Sequence, residues 1–142
     1  MKQEEIKALF AKGMECSQVV TGAFAESLGV EQNLMRKVSA CFGGGMQCAE
    51  TCGAVTGALM VIGLKYGHCK EEDHQQKLQM EEKAAAFRER FIRKHASCIC
   101  RELLGYDLSK PDEMAQVLEK GLLFDFCPGV VEDAIEILDQ IL

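Results

Sequence analysis

Apolar residues recur at helical spacing along nearly the whole chain, and no stretch alternates apolar and polar positions between turn signals as a half-buried strand would. The pattern predicts an all-α fold, a single compact multi-helix domain of about six or seven helices covering residues 1–142. A first helix over residues 2–12 carries Ile6, Leu9 and Phe10 and stops at Gly13. A second, over 16–28, sets Cys16, Val20, Ala23 and Ser27 along one stripe, with Phe24 and Leu28 beside it and Gly29 at its end. A short amphipathic helix over 31–41 runs through Leu34, Met35 and Val38. Gly43-Gly44-Gly45 then breaks the chain, and a loop continues to Thr51. From Cys52 to Tyr66 the residues are apolar almost all round, which marks a central helix covered by its neighbours. Its Gly53, Ala54 and Gly57 allow another backbone to approach closely.

The longest pattern covers 71–96, where Met80, Ala84, Phe87 and Phe91 form a stripe that His95 and Cys98 extend. Asp73 with Lys77 and Glu89 with Arg93 are expected pairs on its solvent face. A short helix is expected from Ser97 or Cys98 through Leu104, closed by Gly105. Pro111 suits the first turn of a helix that finishes at Gly121, and Pro128 suits that of the last helix, whose Val131, Ala134, Leu138 and Ile141 make an apolar face. There is no repeat, linker or low-complexity segment.

Composition excludes some classes of function. With 48% hydrophobic and 27% charged residues the chain is an ordinary globule rather than a disordered or fibrous one. No apolar run reaches the roughly 18 residues of a membrane span. The start, Met1-Lys2-Gln3-Glu4-Glu5-Ile6, is acidic where a signal peptide is basic and then apolar, so the expected location is cytoplasmic. A net charge of -6, with no basic run and no Trp, disfavours nucleic acid and anionic membranes as partners.

Eight cysteines change the picture. A reducing cytosol keeps spare thiols reduced, so this many of them points to metal binding or redox chemistry. Cys16, Cys52, Cys100 and Cys127 each fall at or near the start of a predicted helix. Unpaired N–H groups and the positive end of the helix dipole meet there, so lowered thiol pKa values are expected. Thiolate is both nucleophile and metal ligand. Four such sulfurs converging suit an iron-sulfur cluster, a zinc ion or two redox-active dithiol pairs. The plainer alternative is that cysteine is a small buried hydrophobe, and Cys16, Cys52 and Cys127 each continue an apolar stripe.

Spacing excludes more than it selects. The chain has no C-x-x-C, hence no thioredoxin-type or zinc-ribbon signal, and no C-x-x-C-H, hence no covalent haem; the His68-Cys69 pair runs in the wrong order. Cys48 and Cys98 are candidate resolving thiols or substitute ligands, although Cys98 and Cys100 would point apart on a helix. His95, on an apolar face near them, is a further candidate ligand, with a histidine satisfied by backbone as the alternative. Cys41 and Cys69 are read as packing or exposed thiols, His68 and His74 as solvated, and Met14, Met35, Met46 and Met60 as core filling. The three glycines match neither G-x-G-x-x-G nor the P-loop, and read as a loop permitting close backbone approach.

Over essentially its whole length the sequence resembles the family of redox-active proteins named after a C_GCAxxG_C_C cysteine pattern. The central signature is Cys52-Gly53-Ala54-Val55-Thr56-Gly57, after Phe42-Gly43-Gly44-Gly45-Met46. The upstream cysteine corresponds to Cys16 in Cys16-Ser17-Gln18-Val19-Val20, the third to Cys100 in Cys100-Arg101-Glu102-Leu103-Leu104-Gly105, and the fourth to Cys127 in Cys127-Pro128. Thr51 stands where the family pattern has Gly before the central cysteine. The resemblance implies a relation to the split-Soret cytochromes, whose haem-binding cysteines this sequence lacks, and by that analogy Cys16, Cys52, Cys100 and Cys127 are cluster ligands. Three functional expectations follow: an electron-transfer protein with a metal centre, iron-sulfur in the first place; a metal-free thiol-disulfide oxidoreductase using the same cysteines; and a non-catalytic zinc- or partner-binding module. A redox partner protein and a homodimer are compatible with all three.

Overall fold

The glycines and prolines that punctuate the sequence mark most of the helix boundaries in the computed structural model, which describes residues 1–142. The helices are α1 (Gln3–Ala11), α2 (Cys16–Ala25), α3 (Gln32–Ser39), α4 (Gly53–Tyr66), α5 (His74–His95), α6 (Cys100–Leu104), α7 (Pro111–Lys120), α8 (Leu122–Asp125) and α9 (Cys127–Ile141). The all-α expectation holds, but there are nine helical segments rather than six or seven. The sequence pattern marks eight of these segments one by one, more than its overall estimate, and the one it leaves unmarked is α8, a single turn too short to leave a periodic pattern. Gly121, at φ 69°, ends α7 in the left-handed conformation and lets α8 begin at once. The expected second and third helices are each shortened at the C-terminal end: α2 stops at Ala25, and past Ser39 the chain tightens into a 3-10 turn over Ala40–Phe42.

One cluster of 19 buried residues forms the core, and α4 runs through it, packed against α2, α5 and α9. Side chains at the α2–α4 crossing are small because the backbones nearly touch. A Cβ on Gly57 would lie 2.9 Å from the Ser17 carbonyl oxygen and 3.1 Å from Val20 Cβ. On the other side of α4, α5 contributes Phe87 and Phe91, both fully buried, with ring centroids 5.8 Å apart. Three buried hydroxyls tie α2 to α3: Ser17 Oγ donates to the Ser39 carbonyl at 2.7 Å, and the Thr21 and Ser39 hydroxyls are 2.9 Å apart. All three groups are bonded, so their burial carries no unmet polar cost.

On the solvent face of α5 the Glu89–Arg93 pair forms at 2.7 Å as expected. Asp73 does something else. It sits at the N-cap of α5 and accepts from the Gln76 N–H at 3.2 Å, which leaves Lys77 to Glu81. Gly63, in the second half of α4, has open space where a Cβ would go. Gly63→Ala is therefore expected to stabilise the protein by about 0.5–1 kcal/mol, read as a higher urea midpoint, because alanine gives up less backbone entropy on entering a helix.

Candidate functional site

Local sequence explains where each of the four cysteines stands. Cys16 is the first residue of α2, which starts there because Glu15 and Gln18 form a capping box: the Glu15 side chain accepts from the Gln18 N–H, and the Gln18 side chain accepts from the Glu15 N–H at 2.9 Å. Cys52 is the N-cap of α4 and Cys127 the first residue of α9, with Pro128 fixing the next φ. Cys100 opens α6. All four therefore hold the helix-start positions expected from the sequence.

Two devices bring them together. Gly53 lets α4 meet α2 at the cysteines themselves, since a Cβ there would stand 3.0 Å from Cys16 Cβ and 3.1 Å from Gly43 Cα. An isolated antiparallel bridge between Thr51 and Ile99 then joins the segment before α4 to the segment before α6. In it Cys52 N–H donates to the Cys98 carbonyl at 2.7 Å and Cys100 N–H to the Glu50 carbonyl at 2.6 Å. Because Ile99 is extended (φ -95°, ψ 126°) and α6 starts only at Cys100, Cys98 and Cys100 do not share a helix, and the helical reading that related them is corrected. Helical periodicity gave no hint of this pairing.

Cys16, Cys52 and Cys100 line one cavity of about 380 Å³, and the Cys127 thiol lies against that of Cys16. Cys52, Cys100 and Cys127 are each at most 9% exposed. No cysteine is in a disulfide. No three His, Cys, Asp or Glu side chains are gathered tightly enough to close on one metal ion. Glu15, which the sequence reading passed over, also lines the cavity, and burial raises its carboxyl pKa. The E-x-x-Q capping spacing at 15–18 was the available signal.

The expectation of lowered thiol pKa values is overturned at Cys16, Cys52 and Cys100. Burial, and then the proximity of Cys16, push the Cys52 thiol up to about 12 against the opposing N–H groups of Ala54 and Val55. Burial, then Cys52 and Cys16, raise Cys100 to about 12 as well. The neighbouring Cys127 thiol and burial hold Cys16 well above the ordinary range. Helix-start amides favour a thiolate, but removing it from water and placing it beside other sulfurs costs more. The folded metal-free chain thus holds these protons more tightly than the unfolded chain. The stability this contributes is fully present below about pH 9 and is lost as pH rises from there to about 12. The melting temperature of metal-free, reduced protein is expected to fall over that window, with a flatter profile in a Cys52→Ser, Cys100→Ser variant.

Above the cavity the glycine segment makes the close approaches foreseen for it. The Cβ position of Gly43 is filled by the Glu15 side chain, and a Cβ on Gly45 would stand 2.9 Å from Cys100 Cβ. Gly44, Gly45, Met46 and Gln47 follow one another at φ between 60° and 65°, a left-handed turn. For Met46 and Gln47 that conformation costs roughly 1–2 kcal/mol each. Arg101 holds the segment down, donating to the Ala49 carbonyl at 3.0 Å and pairing with Glu50 at 2.9 Å.

The remaining candidates separate. Cys98 is close to Cys52, and burial raises its pKa in opposition to Arg88. Cys48 is exposed on the turn and donates to the Gly45 carbonyl, outside the cavity. His95 is not brought to the sulfurs: its Nε2 is 2.9 Å from an Asp133 carboxylate oxygen, and its ring packs 4.7 Å from that of Phe91. Cys41 and Cys69 are exposed, as are His68 and His74.

The four cysteines selected from the sequence are thus gathered at one place, and a family model described as "Putative redox-active protein (C_GCAxxG_C_C)" matches residues 14–141. The chain belongs to the C_GCAxxG_C_C family. No curated protein and no solved structure matches it. Gly53 and Gly57 have a physical reason in the fold, since they are the points at which α4 touches α2, Gly53 at Cys16 and Gly57 at Ser17 and Val20. No helix is long and apolar enough to cross a membrane.

Proposed function

We propose that this redox-active C_GCAxxG_C_C protein is an electron carrier in which Cys16, Cys52, Cys100 and Cys127 hold a metal centre, iron-sulfur in kind. The observation that carries the reading is the convergence of four thiols from four separate helix starts, three of them lining one cavity and the fourth, Cys127, lying against Cys16. The donor set fits. Cys16, Cys52 and Cys100 resist ionisation partly because of neighbouring sulfurs, and a cation shared among them removes that penalty. A lone zinc ion needs its sulfurs about 2.3 Å from one point, which the looser grouping here does not provide; sulfurs around a polynuclear centre stand farther apart because the cluster lies between them. A cysteine-ligated iron-sulfur centre supplies electron transfer at a potential set by hydrogen bonds to sulfur and by solvent exposure.

The chain's own part is to bind, orient and keep water out. The amino ends of α2, α4 and α9 point their partial positive charge at the sulfurs and offset the negative charge of ligating thiolates. The bridge at Thr51 and Ile99 fixes Cys52 against the residues before α6. Phe42–Gly43 and the left-handed turn cover the site from one side. Metal and sulfide analysis of protein purified without oxygen tests the reading: stoichiometric iron and sulfide with visible absorption that bleaches on reduction is expected, and colourless, iron-free protein rejects it.

The contact between Cys16 and Cys127 favours a second reading, a metal-free dithiol. There the two thiols give up two electrons and two protons to an oxidising disulfide, forming one S–S bond while the acceptor becomes two thiols. A free-thiol count that drops by two per chain on treatment with oxidised glutathione and returns with a reductant distinguishes it.

A further inference from the structure

We propose that the cavity at the cysteines also seats a small, uncharged, apolar molecule, which makes it the ligand-binding as well as the redox end of the protein. This deepens the reading of the cysteines as a redox site and rests on it for the meaning of the ligand, though not for the fact of binding. A volume of about 380 Å³ falls within the size range of small-molecule pockets. The sulfurs form one wall only. Facing them are Phe10, Met14, Leu108, Met114, Leu123 and Phe124, supplied by α1 and the turn after it, the loop after α6, α7 and α8. A space built solely to enclose ligating sulfurs does not need a second, aromatic and thioether wall.

Charge narrows the class of occupant. No Lys, Arg or His lines the cavity, and its one carboxylate is that of Glu15. Glu15 also takes the place at the amino end of α2 where an anion would otherwise find free N–H groups. An anionic ligand therefore meets a carboxylate, sulfurs and hydrocarbon, with no opposite charge. A neutral molecule meets hydrocarbon over most of its surface, while Gln47 and the Gly43–Gly44 backbone can orient a single polar group. Phe124, 39% exposed, stands at the rim.

Calorimetric titration of oxygen-free purified protein with 2-naphthol, and with 2-naphthoate as its anionic counterpart, tests this. One 2-naphthol per chain is expected, with 2-naphthoate at least about tenfold weaker. Met114→Trp and, separately, Leu123→Trp fill the space and are expected to weaken 2-naphthol by about tenfold or more, with helix content by circular dichroism certifying that each variant is folded. Absence of saturable 2-naphthol binding, equal affinity for 2-naphthoate, or unchanged affinity in both folded tryptophan variants overturns the proposal. Iron, sulfide and thiol content measured on the same samples separates the two readings. Loaded protein that ignores 2-naphthol while metal-stripped protein binds it means the metal centre fills the space, and the ligand proposal falls. Protein without metal or redox-active thiols that still binds 2-naphthol keeps the ligand site and rejects the redox reading.

Discussion

If the site holds iron as proposed, Cys52→Ser is expected to abolish iron and visible absorption while leaving the helices in place. Cys52 stands between other sulfurs: Cys16 and Cys98 are near enough to raise its pKa, and Cys52 in turn raises that of Cys100. Serine keeps the backbone N–H that bonds the Cys98 carbonyl, and serine is a favoured N-cap, so the start of α4 does not suffer. Its hydroxyl is a far poorer ligand than a thiolate. Metal retention should drop by more than about 100-fold, beyond the 10- to 100-fold typical of losing an outer hydrogen-bonding partner of a ligand. Iron and sulfide per chain, read beside circular dichroism and the urea midpoint, decide the matter, and unchanged iron with unchanged absorption would falsify the metal reading at this residue. Cys41→Ser, at an exposed sulfur, should leave the same readings as they are.

Gly57→Val should damage the fold beside the site substantially. Its new Cβ would come within 2.9 Å of the Ser17 carbonyl oxygen and 3.1 Å of Ser17 Cα. These are backbone atoms, so no side chain can rotate aside, and α2 has to move. Overpacking of this kind costs about 2–3 kcal/mol, partly offset by the better helix propensity of valine over glycine. The urea midpoint reports the cost. Since Cys16 rides on the same helix, the displacement also separates Cys16 from Cys52, and iron content should fall together with stability. A loss of stability with full iron retention would show that α2 can shift without carrying its first residue.

The helices were legible in the sequence because most are punctuated by glycine or proline and their apolar stripes run for several turns. Phe87 and Phe91 are the clearest case, both predicted on one face of a long helix and both fully buried. What local pattern could not reveal was anything requiring two distant segments. The Thr51–Ile99 bridge involves too few residues to have a period of its own, and without it Cys98 and Cys100 were placed on opposite sides of an imagined helix turn. The four cysteines could be selected from their helix-start positions, but their ionisation could not. The sequence carries the favourable amide and dipole contribution in its capping positions, whereas the opposing contribution comes from burial and from sulfurs far along the chain. The apolar wall facing the sulfurs was out of reach for the same reason, since Phe10, Leu108, Met114 and Leu123 become neighbours only when α1, α7 and α8 pack together.

The placement of the sulfurs also bears on the entropy of the unfolded chain. None of the four motif cysteines has a sequence neighbour among the others, and from Cys16 to Cys127 they take in most of the molecule. Any bond joining them, through a metal or through a disulfide, therefore closes long loops, and closing long loops removes more freedom from the disordered chain than a local C-x-x-C closure does. A metal centre or disulfide at this site acts as a cross-link for the whole bundle.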